Sequence, residues 1–377
     1  MGAYGIMLSF SIHPRRLGFL MTLYSKPHTI SALDAKLEAQ KIAFAPFAFQ
    51  TGVTLIRTGI LEAVSEIGQA GANAEYLSEK TGISEYGVKV LLDMALSMNV
   101  VWLKDDTHYV LDKVGYFLLG DQMARVNLDF TQDVCYEGLF EMEAAIRNGK
   151  PEGLKVFGDW PTIYPALTSL PEKAQESWFK FDHYYSDHSF PEVLPIVFKD
   201  KPKHLVDVGG NTGKWALSCV RFDEDVNITI MDLPQQIKVM EENAEEQGFA
   251  DRISGHPINL LDKEAPFVEG ADAIWMSQFL DCFSEEQILS ILQRAAAAMT
   301  GDTCLYIMDT YWDRQRYEAA AYSINATSLY FTAMANGNSR MYHSKDMIKL
   351  LHQAGLMVET DIDDIGAGHT LFKCIKK

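Results

Sequence analysis

The sequence predicts an α/β domain with a largely parallel sheet, preceded by a smaller helical domain. From residue 203 onward, short apolar strand-like runs alternate with helical patterns. Such alternation is typical of a parallel sheet covered by helices on both faces. Residues 31–120 show helical spacing followed by a short hairpin instead. The 377 residues leave room for both domains.

The composition excludes several classes of protein. Lys and Arg number 33 against 51 Asp and Glu, which gives a net charge of −18. Such a chain repels phosphate backbones, so we expect no nucleic-acid partner. No apolar run is long enough for a membrane span, so we expect no membrane partner. Five scattered cysteines without a CxxC motif fit neither a disulfide framework nor a zinc site and indicate a reducing cytoplasm.

The first 30 residues carry no predicted element. Arg15 and Arg16 follow the apolar stretch, whereas a signal peptide has its positive charges before it. Met21 is an alternative start, which leaves open whether residues 1–20 are translated. We expect residues 1–30 to form a disordered tail.

The N-terminal domain, residues 31–120, is predicted to be all-helical apart from a hairpin. Apolar positions recur at helical spacing over residues 31–70. Two further helices follow, separated by a turn at Gly82, and Ser84 caps the second. A short hairpin around Asp105 ends the pattern. Helices followed by a hairpin in this order form a winged helix.

A winged helix suggests DNA binding, but the charges argue against it. The second helix offers Lys89 alone, against Glu85 and Asp93. A DNA-reading helix needs a basic face. We therefore predict self-association into a homodimer, with the alternative that these helices pack only on their own chain.

Residues 121–200 are predicted to be a mostly helical linker, in which aromatic side chains recur and prolines break the helices into short pieces. The first strand of the α/β domain then ends in a glycine-containing loop. A dinucleotide fingerprint, GxGxxG, fails twice, at Asn211 and Lys214. The methyltransferase form, acid-x-G-x-G-x-G, fits Asp207, Gly209 and Gly213, with Asn211 at the middle glycine. A plain strand-to-helix turn is the alternative.

A carboxylate ends the next strand. Asp232 lies at its tip, where an acid in this fold class accepts hydrogen bonds from ribose hydroxyls. An isolated Asp after a strand is usually a helix cap instead. Its combination with the preceding loop favours the ribose ligand.

These motifs resemble a known family. LVDVGGNTGKWAL and MDLPQQIKVMEENAEEQGFADRI look like the S-adenosylmethionine-dependent O-methyltransferases of the plant caffeate and acetylserotonin type and their bacterial relatives. The resemblance covers residues 31–377. It implies a Rossmann-like class I methyltransferase domain over residues 121–377, an N-terminal winged-helix dimerisation domain, a homodimer, and S-adenosylmethionine as cofactor. It also implies no metal, since metal-dependent catechol methyltransferases lack the N-terminal domain.

The resemblance carries over to individual residues. The predicted cofactor-binding residues are Asp207, Gly209, Gly210, Asn211, Gly213, Asp232, Leu233, Asn259, Leu260, Ser277 and Ser189. Among them, Asn259 stands where the family has an Asp near the adenine. The predicted substrate-pocket residues are Phe181, Tyr185, Phe279, Trp312, Tyr330 and Met334.

The chain departs from the family at the catalytic base. The family pattern LHDWSDE is LDCFSEE here, so Asp281 replaces the histidine. One flanking acid is kept as Asp309, while none is found near Ser339. Asp281 and Asp309 are the predicted catalytic residues. Three interpretations remain open. Asp281 acts as a base whose pKa is raised by its neighbour, or the acceptor ionises unaided and proximity suffices. In the third, Asp281 only caps the helix that starts near Ser284, and the transferase needs no base or has lost activity.

Two histidines, His183 and His188, are candidates to substitute for the missing base. His183 and His188 lie in the aromatic segment, whereas we expect His256, His343 and His369 in loops or at the surface. The predicted function is methyl transfer to a hydroxyl of a small aromatic or conjugated molecule. The alternative is a cofactor-binding protein without transferase activity, a sensor or an assembly partner. The sequence leaves the acceptor and the regiochemistry open.

Overall fold

The computed structural model describes residues 23–377, apart from the side chains of residues 186 and 187. The predicted tail therefore lies mostly outside the described residues. Residues 23–31, which precede the first helix, form turns and irregular chain.

The N-terminal region contains five helices and a hairpin. Their bounds are α1 Ala32–Ala43, α2 Ala45–Arg57, α3 Ile60–Ile67, α4 Ala74–Thr81, α5 Glu85–Ser97, β1 Val101–Leu103 and β2 Tyr109–Leu111. The predicted turn and cap are confirmed: Gly82 has φ 74°, and the Ser84 hydroxyl accepts from the backbone N–H of Gly87. The strands β1 and β2 pair antiparallel. The helix α1 has no buried residue, although its sequence carries apolar side chains.

A second group of helices connects this region to the sheet. Their bounds are α6 Lys113–Gly120, α7 Gln122–Phe130, α8 Met142–Asn148, α9 Glu172–Asp187 and α10 Phe190–Val197. Short 3₁₀ and π segments lie between them, in keeping with the prolines of this stretch. The helix α9 contacts α7 and a π segment at residues 131–135, so two distant parts of the linker form one wall.

The α/β region is built on a seven-stranded sheet. Its strands are β3 His204–Val208, β4 Asn227–Asp232, β5 Ile253–Pro257, β6 Ala273–Ser277, β7 Cys304–Asp309, β8 Leu356–Ile365 and β9 His369–Lys376. The strand order is β5-β4-β3-β6-β7-β9-β8. The first five are parallel, and β9 pairs antiparallel with both β7 and β8.

Helices cover both faces of this sheet, as predicted. These helices are α11 Lys214–Phe222, α12 Pro234–Glu246, α13 Glu285–Ala298 and α15 Ser344–Gln353. A further helix, α14 Glu318–Tyr330, packs instead against the short segments that precede and follow it. Alternate residues of each strand enter two separate cores: Trp275 stacks on Trp215 of α11, while Met276 packs on the side of α13. This alternation follows from the two-residue repeat of a strand. Because β3 pairs parallel with both β4 and β6, the carboxyl ends of these three strands lie at one edge of the sheet.

Three strands of the sheet, β5, β8 and β9, were not predicted from the sequence. β5 contains Gly255 and ends at Pro257, and β8 is rich in Asp, so neither has the apolar signature of a buried strand. The four buried parallel strands were identified because they are short apolar runs. Among residues 23–377, no helix combines the length and apolar character needed to span a bilayer.

Candidate active site

The loop after β3 adopts backbone angles that suit glycine and asparagine. Gly209 has φ 75°, Gly213 has φ 84° and Asn211 has φ 50°. Asparagine tolerates this left-handed region better than most residues. A Cβ on Gly209 would lie 2.3 Å from the Phe279 ring, so only glycine lets this backbone and that ring approach.

Asp232 ties the end of β4 to this loop. The backbone N–H of Asn211 donates to Oδ2 at 2.8 Å, and that of Leu233 donates to Oδ1 at 2.7 Å. The N-cap of α12 is Leu233, so Asp232 is not the cap that the alternative interpretation expected. A carboxylate has about four acceptor sites, so about two remain for a ligand's hydroxyls.

A buried acid lies behind the loop. Asp207 is 2% exposed, and its Oδ2 has no hydrogen-bond partner. Burial, with a smaller effect of the Asp232 charge, raises the pKa of Asp207 to about 8. A Cβ on Gly210 would lie 2.5 Å from that oxygen, so Gly210 makes room for the carboxyl group. Asp207 thus supports the loop from below rather than facing the cavity.

A cavity of about 550 Å³ opens at this edge of the sheet. Predicted residues from different elements meet on its wall: Gly209, Asn211, Asp232, Leu233, Asn259, Leu260, Phe181, Tyr185, Phe279, Tyr330 and Asp281. The Asn259 side-chain oxygen accepts from the N–H of Leu261, which fixes a turn at the rim. An oxygen with two lone pairs can accept a second bond.

Other predicted residues lie outside that wall. Gly213 precedes α11 and contacts Met240, and Ser277 ends β6. Ser189 is fully buried at the start of α10.

Two predicted pocket residues also lie elsewhere. Trp312 packs its ring against Tyr24 and His343. Met334 is fully buried in a π segment behind the wall, against Gly138. The structure therefore does not bring Trp312 or Met334 into the cavity lining.

Aromatic side chains line the same cavity as the glycine loop. Phe181 stacks on Phe130 with ring centroids 4.0 Å apart. The indole Nε1 of Trp178 donates to the Tyr330 hydroxyl at 2.7 Å. Tyr185 donates its hydroxyl to Asn127 at 3.0 Å. The polar tips are thus bound within the protein, and flat apolar surface remains to contact a ligand.

Asp281 is a buried carboxyl group on this cavity. It is 7% exposed, and burial raises its pKa to about 6. The Cys282 thiol donates weakly to its Oδ1 at 3.7 Å. The helix-cap interpretation of Asp281 is wrong, because Ser284 caps α13 through a reciprocal pair with Gln287. Asp281 is therefore free of that structural role.

Asp309 is the last residue of β7 and interacts electrostatically with Asp281. It is buried, and its Oδ1 has no hydrogen-bond partner. Burial and then the Asp281 charge raise the pKa of Asp309 well above its ordinary value. Two carboxyl groups so placed do not ionise together easily, so one of them keeps its proton.

A glutamine and a histidine that sequence reasoning missed also form this site. Gln278 follows β6 with φ 47° and lines the cavity. Its side-chain amide lies 2.6 Å from Nε2 of His369. The expectation that His369 sits at the surface is wrong: it is fully buried, because β9 is an internal strand, and burial lowers its pKa to about 4. The positive φ of Gln278, a non-glycine residue, marks this position in the structure. No pattern in the sequence predicts that backbone angle.

The connection after α14 supplies a further polar group. The Asn336 amide donates to the Cys282 carbonyl at 2.9 Å and to the Tyr164 hydroxyl at 3.1 Å. The same amide donates to the hydroxyl of the buried Ser339, the position near which the family has its second flanking acid. His188 of the aromatic segment is exposed and contacts a backbone carbonyl.

The residues present fit S-adenosylmethionine. Gly209 leaves a cradle that a Cβ would fill, and Asp232 keeps acceptor capacity for hydroxyl groups. The turn at Asn259 lies on the same cavity, where an adenine would be held. Among residues 23–377, no group of three or more His, Cys, Asp and Glu side chains is arranged to hold a metal ion.

Two family models match the chain in succession. Residues 36–108 match the Dimerisation2-like domain, and residues 191–357 match the O-methyltransferase domain. This chain carries an O-methyltransferase domain. The methyltransferase fold with an N-terminal dimerisation domain, the enzyme class and the cofactor are thereby confirmed as predicted.

Curated relatives of this chain are named as methyltransferases. The mitomycin biosynthesis 6-O-methyltransferase of Streptomyces lavendulae is 24% identical over 310 residues, which is 81% of this chain and 85% of that one. The bacteriochlorophyllide d C-20 methyltransferase of Chlorobaculum tepidum is 24% identical over 262 residues, 67% and 73% of the two chains. The solved structure of the S-adenosylmethionine-dependent methyltransferase SibL shares the fold, with a TM-score of 0.68 at 20% identity, over 89% of this chain and 98% of that one.

Proposed function

We propose that the protein transfers a methyl group from S-adenosylmethionine to a hydroxyl of a small aromatic or conjugated molecule. One observation carries the proposal. The glycine loop, Asp232 and Asp281 line the same cavity, together with the aromatic side chains of Trp178, Phe181, Tyr185 and Tyr330. Two relatives named for mitomycin and bacteriochlorophyllide support an acceptor with a conjugated ring system.

The proposed cofactor contacts follow from the strand ends. The loop at Gly209 and Asn211 holds the cofactor close to the backbone, and Asp232 accepts from the ribose hydroxyls. Asn259 and Leu260 face the adenine. S-adenosylmethionine, when bound, supplies an activated methyl group on a sulfonium. The chain must therefore align the acceptor, exclude water and, where needed, remove a proton.

Asp281 is the proposed proton acceptor, with Asp309 as its positioning partner. Burial brings the Asp281 pKa to about 6, which leaves its carboxylate available at neutral pH. A positioned base contributes about 10²–10⁴-fold to the rate. An acceptor acidic enough to ionise unaided would need only alignment, so Asp281 would then matter little.

Product mass tests the proposed function. The protein is incubated with S-adenosylmethionine and a panel of phenols and enols, and the products are analysed by mass spectrometry. We expect a gain of one methyl group per acceptor, located on oxygen by fragmentation. Cofactor binding without transfer to any acceptor would contradict the proposal and favour a sensor or assembly partner.

We also propose that residues 31–120 form a winged-helix dimerisation domain, and residues 121–377 the methyltransferase domain. Leu33, Leu37 and Ile42 of α1 are exposed, as an unpaired interface would be. We propose a cytoplasmic homodimer without a nucleic-acid partner. Light scattering on the wild type and on Leu37→Glu should give dimer and monomer masses respectively. A wild-type monomer would contradict the homodimer.

A further inference from the structure

The short turn that carries Asp281 is held by a side chain from a distant part of the chain. Residues 280–282 form a 3₁₀ turn between β6 and α13. The side-chain nitrogen of Asn336 donates to the Cys282 carbonyl at 2.9 Å. The side-chain oxygen of Asn336 accepts the backbone N–H groups of residues 338 and 339, which fixes which way round the amide lies. The backbone beside Asp281 is therefore anchored through Cys282.

The side chain of Cys282 contacts the Asp281 carboxylate. Its Sγ donates to Oδ1 at 3.7 Å, and both side chains line the cavity. Burial first and then the Asp281 charge raise the pKa of the thiol well above its usual value, although a hydrogen bond with Tyr164 opposes them. The thiol therefore keeps its proton at neutral pH and serves as a donor.

This thiol contact counteracts the effect of burial on Asp281. Burial raises the pKa of Asp281 to about 6. Among the interactions that lower this pKa, the hydrogen bond from Cys282 is the largest, ahead of two backbone N–H groups. A hydrogen bond to the charged form of an acid favours that form. Without the thiol, more of the Asp281 side chain would carry a proton at neutral pH and could not accept another.

The other titratable groups around Asp281 among the described residues are acids themselves. Burial and the Asp281 charge raise the pKa of Asp309, so Asp309 keeps its proton while Asp281 ionises. Burial also raises the pKa of each of three tyrosines that interact with the Asp281 charge, so that they stay neutral: Tyr164, Tyr311 and Tyr342. The charge of Asp182 on α9 acts on the Cys282 thiol. The thiol is thus a side-chain donor in an acidic environment.

We propose that Cys282 is a positioning residue for methyl transfer: its thiol, held by Asn336 and Tyr164, orients the Asp281 carboxylate and keeps it ionised. This inference rests on the proposed function, in which Asp281 receives the proton of the acceptor's hydroxyl. In that step the hydroxyl oxygen bonds to the methyl carbon while the bond from that carbon to the cofactor's sulfur breaks, and the hydroxyl proton passes to Asp281. Cys282 keeps its own proton throughout.

Infrared titration measures the ionisation of Asp281 without any substrate. The stretch of the protonated carboxyl group is followed with pH, and each spectrum is compared with that of the same protein carrying Asp281→Asn. We expect a midpoint near pH 6 for the wild type. Cys282→Ala should raise the midpoint by about half a pH unit, because the charged form loses a hydrogen bond. Cys282→Ser keeps a donor and should restore the wild-type midpoint.

Cys304→Ala is the matched control for the loss of a thiol. Cys304 begins β7, at the opposite end of that strand from Asp309. Its midpoint should equal that of the wild type. An unchanged midpoint in Cys282→Ala would overturn the inference. So would a midpoint in Cys282→Ser that moves as far as that of Cys282→Ala.

The pH dependence of turnover separates this role from a purely structural one. With an acceptor that the wild type methylates, Cys282→Ala should lose roughly twofold in kcat at pH 6 and little at pH 8. The acceptor KM and the Kd for S-adenosylhomocysteine should stay within about twofold. An equal loss at both pH values would indicate a structural role and overturn the inference.

The two measurements distinguish failure of the inference from failure of the proposed function. If the infrared midpoint moves in Cys282→Ala but no acceptor is methylated by the wild type, the proposed function fails and the effect of Cys282 on Asp281 stands. If the wild type methylates an acceptor and the midpoint does not move, the proposed function stands and the inference fails.

Discussion

The two halves of the cavity are built in different ways. The cofactor half, formed by Gly209, Asn211, Asp232 and Asn259, comes from strand ends that lie within a short stretch of chain. The acceptor half, represented by Trp178, Phe181, Asp281 and Tyr330, draws on α9, α14 and the turn after β6. In the first half, the backbone at positive φ forms the wall. In the second, side chains from distant elements form the wall.

This difference determines how each half responds to change. Positions in the cofactor half are constrained by positive φ and close contacts, so a single added methyl group disturbs them. Positions in the acceptor half are constrained by packing and by hydrogen bonds between side chains. We therefore expect substitutions there to change acceptor selection while cofactor binding persists.

The largest effect is expected from Gly209→Ala. A Cβ at this position would lie 2.3 Å from the Phe279 ring, at a φ of 75°. The Kd for S-adenosylhomocysteine should rise on the order of 100-fold, which corresponds to about 2.7 kcal/mol. Calorimetry measures it. Gly248→Ala is the control, with a similar φ of 76° but no neighbour within 4 Å, and should bind normally. If both variants bound S-adenosylhomocysteine equally well, the claim that close backbone contacts constrain the cofactor half would be contradicted.

Asp281→Asn should affect the reaction rather than the cofactor. Loss of a positioned base lowers turnover by at least about tenfold. The Kd for S-adenosylhomocysteine should stay within twofold, because Asp281 lies in the acceptor half. Asp302→Asn, at an exposed turn, controls for the loss of one charge. Unchanged turnover would show that alignment alone is the mechanism.

The pH dependence of turnover also tests whether Asp281 acts as the base. Burial raises the Asp281 pKa to about 6, and only the carboxylate form accepts a proton. Turnover of the wild type should therefore be high above pH 6 and fall as the pH decreases through that value. Asp281→Asn should not show this decrease. Initial rates between pH 5 and 8 measure the profile. A decrease of the same size in Asp281→Asn would assign the titration to another group.

The smallest effect is expected from Trp178→Phe. This change keeps a ring but removes the N–H that binds the Tyr330 hydroxyl at 2.7 Å. A lost neutral hydrogen bond is worth about 1 kcal/mol, so the acceptor KM should rise roughly fivefold. Cofactor affinity should not change. A larger effect on the cofactor Kd than on the acceptor KM would contradict the division of the cavity into a cofactor half and an acceptor half.

The sequence predicted the cofactor half far better than the acceptor half, for a physical reason. Gly209 and Asp232 are required by the local backbone and are adjacent to strands with a clear apolar pattern. His369 and Asn336 acquire their roles only when β9 and the segment after α14 pack against the site, and no local pattern records this. Trp312 and Met334 were assigned to the pocket by residue type alone, and packing directs both elsewhere.

Calorimetry of the wild type and of Asp232→Ala tests the central claim most directly. We predict that S-adenosylhomocysteine binds the wild type at one molecule per chain and that Asp232→Ala weakens this binding at least about tenfold, since the carboxylate accepts charge-assisted hydrogen bonds. Nicotinamide dinucleotide should not compete. Absence of binding, competition by the dinucleotide, or equal affinity in Asp232→Ala would contradict the account.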